Sequence, residues 1–146
     1  MTELVDTSPD VNVHAAEYQR LLGYPRDWVL DGRPRELAEW ARAWYTKNGR
    51  PWIYARQAES LKMDGSAIRI DGIPFTGVRL HETLQQAVAH SVILAAVGAG
   101  PEIEQEAHRL WQEEKTDEYF FLEVLGSAVV EHLTTLTRAR LCAWAE

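Results

Sequence analysis

The sequence predicts an α+β fold. Apolar residues recur at helical spacing through much of its second half, and short alternating segments bracketed by turn signals lie near its middle. Of its 146 residues 46% are apolar, enough for one sizeable core. Residues 1–12 read as a flexible N-terminal arm and 13–146 as a single domain.

The arm carries Asp, Ser, Pro and Asn without an apolar period. From Val13 to Leu22 a short helix is expected, ended by Gly23 and blocked by Pro25. A stronger helix starts around Asp31–Glu36, where Pro34 suits a first turn whose amides lack partners anyway. Leu37, Trp40, Ala41 and Trp44 repeat at i, i+3, i+4 and i+7, so two indoles share one face. That face reads as core or subunit contact, with a ligand platform as the alternative.

Asn48-Gly49 ends the helix, and Pro51 to Gln57 reads as a strand with Trp52 and Tyr54 on one face. A second strand covers Ala67 to Ile70 between the turn signals Asp64-Gly65 and Asp71-Gly72, and Ile73-Pro74-Phe75 resumes extended chain. Leu80, Leu84, Ala87 and Val88 mark a compact helix before an apolar strand from His90 to Val97. Pro101 opens the next helix, whose buried line is Ile103, Ala107, Leu110 and Trp111. After a break at Lys115-Thr116, the last helix carries a broad stripe through Phe121, Leu125, Ala128, His132 and Leu136, widened by Phe120, Val124, Val129 and Leu133. Gly126, Ser127 and Ala128 allow a close neighbour there.

The net charge is −7 and the basic residues are dispersed, which disfavours nucleic acid and anionic membrane as partners. The acidic, polar N-terminus has no signal-peptide pattern, and the stretch from Ser91 to Pro101 is too short to span a bilayer, so the expected location is cytoplasmic. The single cysteine, Cys142, gives neither an internal disulfide nor a thiolate cluster.

No reacting group stands in an interpretable arrangement, and the expectation is no independent catalysis, no catalytic residues and no metal site. Gly98-Ala-Gly-Pro-Glu102 has the strand-to-helix context of an anion site, but it lacks the dinucleotide and P-loop patterns, and Glu102 and Glu104 repel phosphate. His14, His81, His90, His108 and His132 form no ligand motif, although folding can bring His90 and His132 together. His132 reads better as a satisfied imidazole at the core edge. Ser91 and Ser127 lack an activating context.

The segments LLGY at 21–24, DGIPFTG at 71–77, AVGAGPEIEQ at 96–105 and FLEVLGSAVVEHL at 121–133 resemble the activation domain of cobalamin-dependent methionine synthase, closest to its short stand-alone relatives. The resemblance spans about residues 14–140. It implies a curved antiparallel sheet with packed helices, in truncated form, and an association with S-adenosylmethionine and cobalamin. The family's ligand-binding segment, an arginine followed by Pro-Gly-Tyr downstream of the LGSA helix, has no counterpart here, and Arg138 and Arg140 lack the following motif. The cofactor-binding residues are therefore unknown, with Arg69, Asp71, Glu102 and Glu131 chosen only by proximity to the family-like segments.

These observations lead to a non-catalytic accessory or interaction subunit beside a corrinoid protein or corrinoid-dependent methyltransferase. The alternative is a reduced S-adenosylmethionine- or corrinoid-binding module that supports cobalamin reactivation. A homodimer is expected through exposed sheet edges, the last helix or the indole-bearing helix.

Overall fold

A computed structural model describes residues 3–145. The elements follow the order β1 (Glu3–Asp6), α1 (Ala15–Leu21), α2 (Gly32–Asn48), β2 (Trp52–Gln57), β3 (Leu61–Asp64), β4 (Ala67–Ile70), β5 (Ile73–Phe75), α3 (Val78–Gln86), β6 (Ile93–Gly98), α4 (Pro101–Gln112) and α5 (Thr116–Ala145). The class is mixed α+β, as expected. The strands form two three-stranded sheets, ordered β1-β2-β6 and β3-β4-β5. Neither is closed into a barrel.

Two differences from expectation stand out at the level of elements. Glu3–Asp6 is a strand where an arm without elements was expected. Its alternating half-buried residues, Leu4 and Asp6, are too few to give a readable period. β3 was also missed, because Leu61-Lys-Met-Asp64 is only four residues long and takes its conformation from pairing with β4.

The chain divides into two compact units, and the division falls within β1, β2 and β6. One unit contains the chain up to Val5 together with Tyr54–Ala96. Here β3, β4 and β5 pair antiparallel, with Met63 opposite Ile68 and Ile68 opposite Phe75. Alternation along β4 buries Ile68 and Ile70 and leaves Ala67 and Arg69 outward. Ile68, Ile70, Ala58 and Leu84 form a small core, covered by Leu61, Met63, Ala89, Val92 and Leu94. Only Leu84 of the expected α3 stripe is buried. Val88 lies beyond the helix end and is exposed.

The other unit contains Asp6–Ile53 and the chain from Val97 onward. α5 is its axis, contacting α1, α2 and α4. Leu122, Val129 and Leu133 are wholly buried on α5, joined by Phe121, Leu125, Gly126, Ala128 and Thr137. By length and composition α5 is apolar enough to cross a membrane, but these residues form the core of this unit. α4 applies Ile103, Ala107 and Leu110. Trp111, expected on the same line, sits one residue farther round the helix and is 58% exposed, tilted against Tyr119 with ring centroids 5.1 Å apart. Phe120, expected to widen the α5 stripe, is also exposed. The Tyr18 hydroxyl donates to the Phe121 carbonyl at 2.6 Å, which ties α1 to α5 inside the core.

Candidate functional site

α2 and α4 each contact α5, and an open groove lined by both helices lies between them. Its first compartment, about 570 Å³, is lined by Leu37, Trp40 and Trp44 of α2 and by Glu106, Arg109 and Leu110 of α4. The second, about 620 Å³, is lined by Lys47, Arg50, Glu102 and Gln105. Trp44, Glu106 and Arg109 border both, so the compartments are continuous. The i, i+4 spacing that placed two indoles on one face thus supplies an aromatic wall. Both indoles are half-buried.

The charges along this groove differ in how far they are satisfied. Arg109 pairs with Glu106 and with Glu113, the latter at 2.7 Å, and Lys115 also reaches Glu113 at 3.2 Å. Arg109 and then Lys115 hold the Glu113 carboxyl below the usual carboxylate range. Arg33 contacts Asp117 at 3.3 Å and Glu118 at 3.4 Å. Among the described residues Lys47 and Arg50 have no ion-pair partner.

At the end of the groove the turn Gly98–Glu102 enters α4. Gly100 has φ +99°, and a Cβ there would lie 2.6 Å from the Arg50 carbonyl oxygen and 2.8 Å from Glu102 Oε1. Only glycine fits such a position. The Arg50 carbonyl oxygen and Glu102 Oε1 therefore pack closely against Gly100, and Glu102 Oε1 is buried with no hydrogen-bond partner among the described residues. The Tyr45 hydroxyl beside them is already committed, donating to the Ala99 carbonyl at 2.8 Å. Burial, followed by the Glu102 charge, pushes the Tyr45 phenol well above its ordinary value.

A smaller cavity of about 230 Å³ lies among His14, Glu17, Leu21, Glu131 and His132. Arg20 bridges Glu17 at 3.1 Å and Glu131 at 3.2 Å. The Asn12 amide donates to His132 Nε2 at 3.3 Å, which gives one ring nitrogen of this half-buried imidazole a partner. No group of metal-ligating side chains is present among the described residues.

Of the four residues chosen from the family-like segments, Arg69 and Asp71 lie in one unit and Glu102 and Glu131 in the other. Glu102 and Glu131 border different cavities. Arg69 donates to the Gly72 carbonyl at 3.3 Å, within its own turn. Asp71 accepts the Ser60 amide at 3.0 Å and the Glu59 amide at 2.8 Å and pairs with Arg56 at 2.8 Å. The Ser60 amide first and the Arg56 guanidinium next hold its carboxyl below the ordinary aspartate value. Ser91 Oγ accepts from Gln57 and Ser127 Oγ donates to the Glu123 carbonyl, with no base beside either in these contacts. Arg140 pairs with Asp6 at 2.6 Å, and Cys142 is exposed.

No known protein family and no curated protein matches this chain. Two of the segments that resemble the activation domain, 96–105 and 121–133, carry packing roles in this structure. Gly126 of the LGSA segment receives Ile103, and Gly98 lies under the Trp52 indole, whose ring atoms would be 2.5 Å from an added Cβ. Lys47 and Arg50 escaped the sequence reading because an isolated basic residue at a helix end ordinarily marks a solvated, dipole-matched terminus. The only signal that could have singled them out was their closeness to Trp44.

Proposed function

We propose that this chain is a non-catalytic interaction subunit, and that its partner is a corrinoid protein or a corrinoid-dependent methyltransferase. The observation that carries the interaction reading is the placement of its tryptophans. None of the six is buried: Trp28 is 55% and Trp111 58% exposed, Trp52 is exposed, and Trp40, Trp44 and Trp144 are half-buried. Indole removes a large apolar area from water when covered, and tryptophan is enriched among the residues that dominate protein interfaces. Leaving every indole partly wet is consistent with a surface that is covered in an assembly.

The choice of partner rests on the sequence resemblance in the segments 71–77, 96–105 and 121–133. In this reading the fold is a reduced form of the activation-domain fold, and the chain acts in the cytoplasm without contacting nucleic acid or membrane. S-adenosylmethionine or cobalamin enters through the partner. The test is co-purification and size-exclusion chromatography with the corrinoid proteins and methyltransferases of the source cell. A stable complex weakened by Trp111→Ala or Trp28→Ala is the expected result. No association with any of them would overturn the choice of partner. Calorimetry with S-adenosylmethionine and with a corrinoid, on the chain alone, separates this reading from independent cofactor binding.

A further inference from the structure

We infer that the uncovered face of α5 pairs with the same face of a second copy of this chain, the two helices running antiparallel about a two-fold axis that passes between Val130 and Glu131. This inference does not rest on the partner proposed above, because no tryptophan belongs to that face and a complex with another protein can hold two copies of the chain.

α5 is packed by α1, α2 and α4, and its buried residues, from Phe121 to Thr137, face those helices. At the helical repeat, Phe120, Glu123, Ser127, Val130, Thr134 and Arg138 fall within an arc of about 80° on the remaining side. All of them are exposed, and the half-buried Leu141 continues the line. The helix that forms the axis of this unit thus keeps one open side, a seam about 30 Å long from Phe120 to Leu141.

The order of residues along this seam selects the occupant. Phe120 and Leu141, Glu123 and Arg138, and Ser127 and Thr134 each stand equally far from a point between Val130 and Glu131. An antiparallel copy therefore brings Phe120 against Leu141, Glu123 against Arg138 and Ser127 against Thr134, and each contact is made twice, as an isologous interface requires. Among the described residues neither Glu123 nor Arg138 has an ion-pair partner within its own chain. A parallel pair would instead set Glu123 on Glu123 and Arg138 on Arg138, which repels at both ends. Near the axis the side chains are short. The Ser127 hydroxyl donates to the Glu123 carbonyl and the Thr134 hydroxyl to the Val130 carbonyl, so covering them leaves no orphaned donor. Val130 lies beside the axis and packs against its own copy. Glu131, on the other side of the axis, keeps its charge paired with Arg20 at 3.2 Å.

The experiment is sedimentation velocity of the full chain from low micromolar to near-millimolar concentration. A reversible dimer with a dissociation constant in roughly the micromolar range is expected, since a single helix seam is small for a stable interface. Glu123→Arg and Arg138→Glu should each weaken it at least about tenfold. The double variant exchanges the two charges and rebuilds both pairs, so it should recover most of that loss. Ser127→Arg, beside the closest approach, should abolish the dimer. The changed positions are exposed, so the fold survives the substitutions, and circular dichroism verifies this. Three results overturn the inference: a chain that stays monomeric throughout, which leaves the face to solvent or to a different protein; a dimer indifferent to Ser127→Arg; and a double variant no tighter than the single ones.

Discussion

Ile103 of α4 fills the notch that Gly126 leaves on α5: a Cβ at Gly126 would lie 3.3 Å from Ile103 Cγ2 and 3.4 Å from Cδ1. Both residues are buried, so the fit fixes how closely these two helices approach. Gly126→Leu is expected to destabilise the fold by about 1–3 kcal/mol through overpacking. Adding Ile103→Ala should recover part of that loss, because the shortened side chain makes room for the new one. Denaturant unfolding of the single and double variants measures the coupling, and strictly additive losses would contradict the notch.

Three helix ends share one hydrogen-bond pattern, but only one carries glycine. After α1, Gly23 at φ +91° lets its own amide reach the Arg20 carbonyl and the Tyr24 amide reach Gln19. After α3, Val88 takes φ +48°, with its amide on Gln85 and that of Ala89 on Leu84. After α4, Glu114 takes φ +59°, with its amide on Trp111 and that of Lys115 on Leu110. Such ends favour glycine, and a β-branched residue there is strained. Val88 is exposed, so Val88→Gly sacrifices little packing and should raise stability by up to about 1 kcal/mol. A lower thermal midpoint for this variant would contradict the assignment.

Tyr18 and Tyr45 make the fold sensitive to alkali. Burial raises both phenols above their ordinary value of 10.0. Their contribution is fully present below that value and is lost as the pH rises through it, because the unfolded chain releases those protons first. Tyr18→Phe removes the bond to Phe121 and should cost about 1 kcal/mol at neutral pH. It should also lose less additional stability than the parent between about pH 8 and pH 11. Parallel pH profiles for the two proteins would exclude Tyr18 from this role.

Acid acts on the other unit through Asp71. Its folded value is depressed below 3.8 by the Ser60 amide and the Arg56 guanidinium. The stabilisation is present above 3.8 and lost as the pH falls through the lower folded value. Asn tolerates the positive φ of 51° at this position. Asp71→Asn should therefore be less stable than the parent at neutral pH and lose less on acidification, as followed by chemical unfolding at several pH values.

The long periodic elements were legible and the pairings were not. Pro101, the Ile103–Leu110 line and the Leu125–Leu133 stripe announced α4 and α5, and β4 has the boundaries its flanking Asp-Gly turns implied. β1 and β3 are short and depend on strands distant in sequence, so local pattern carries little of their cause. Val88 hid the end of α3 because a valine reads as a continuing apolar stripe. At the candidate site, the shared face of Trp40 and Trp44 was readable from spacing. The burial of Glu102 Oε1 was not, since it arises from the Arg50 backbone meeting the Gly100 turn.

Native mass spectrometry of the tagged chain recovered from its source cell tests the central claim most directly. The account predicts a hetero-complex containing a corrinoid protein or methyltransferase, with dissociation promoted by Trp111→Ala. A bare monomer or homo-oligomer under conditions that preserve known complexes of that cell would contradict it.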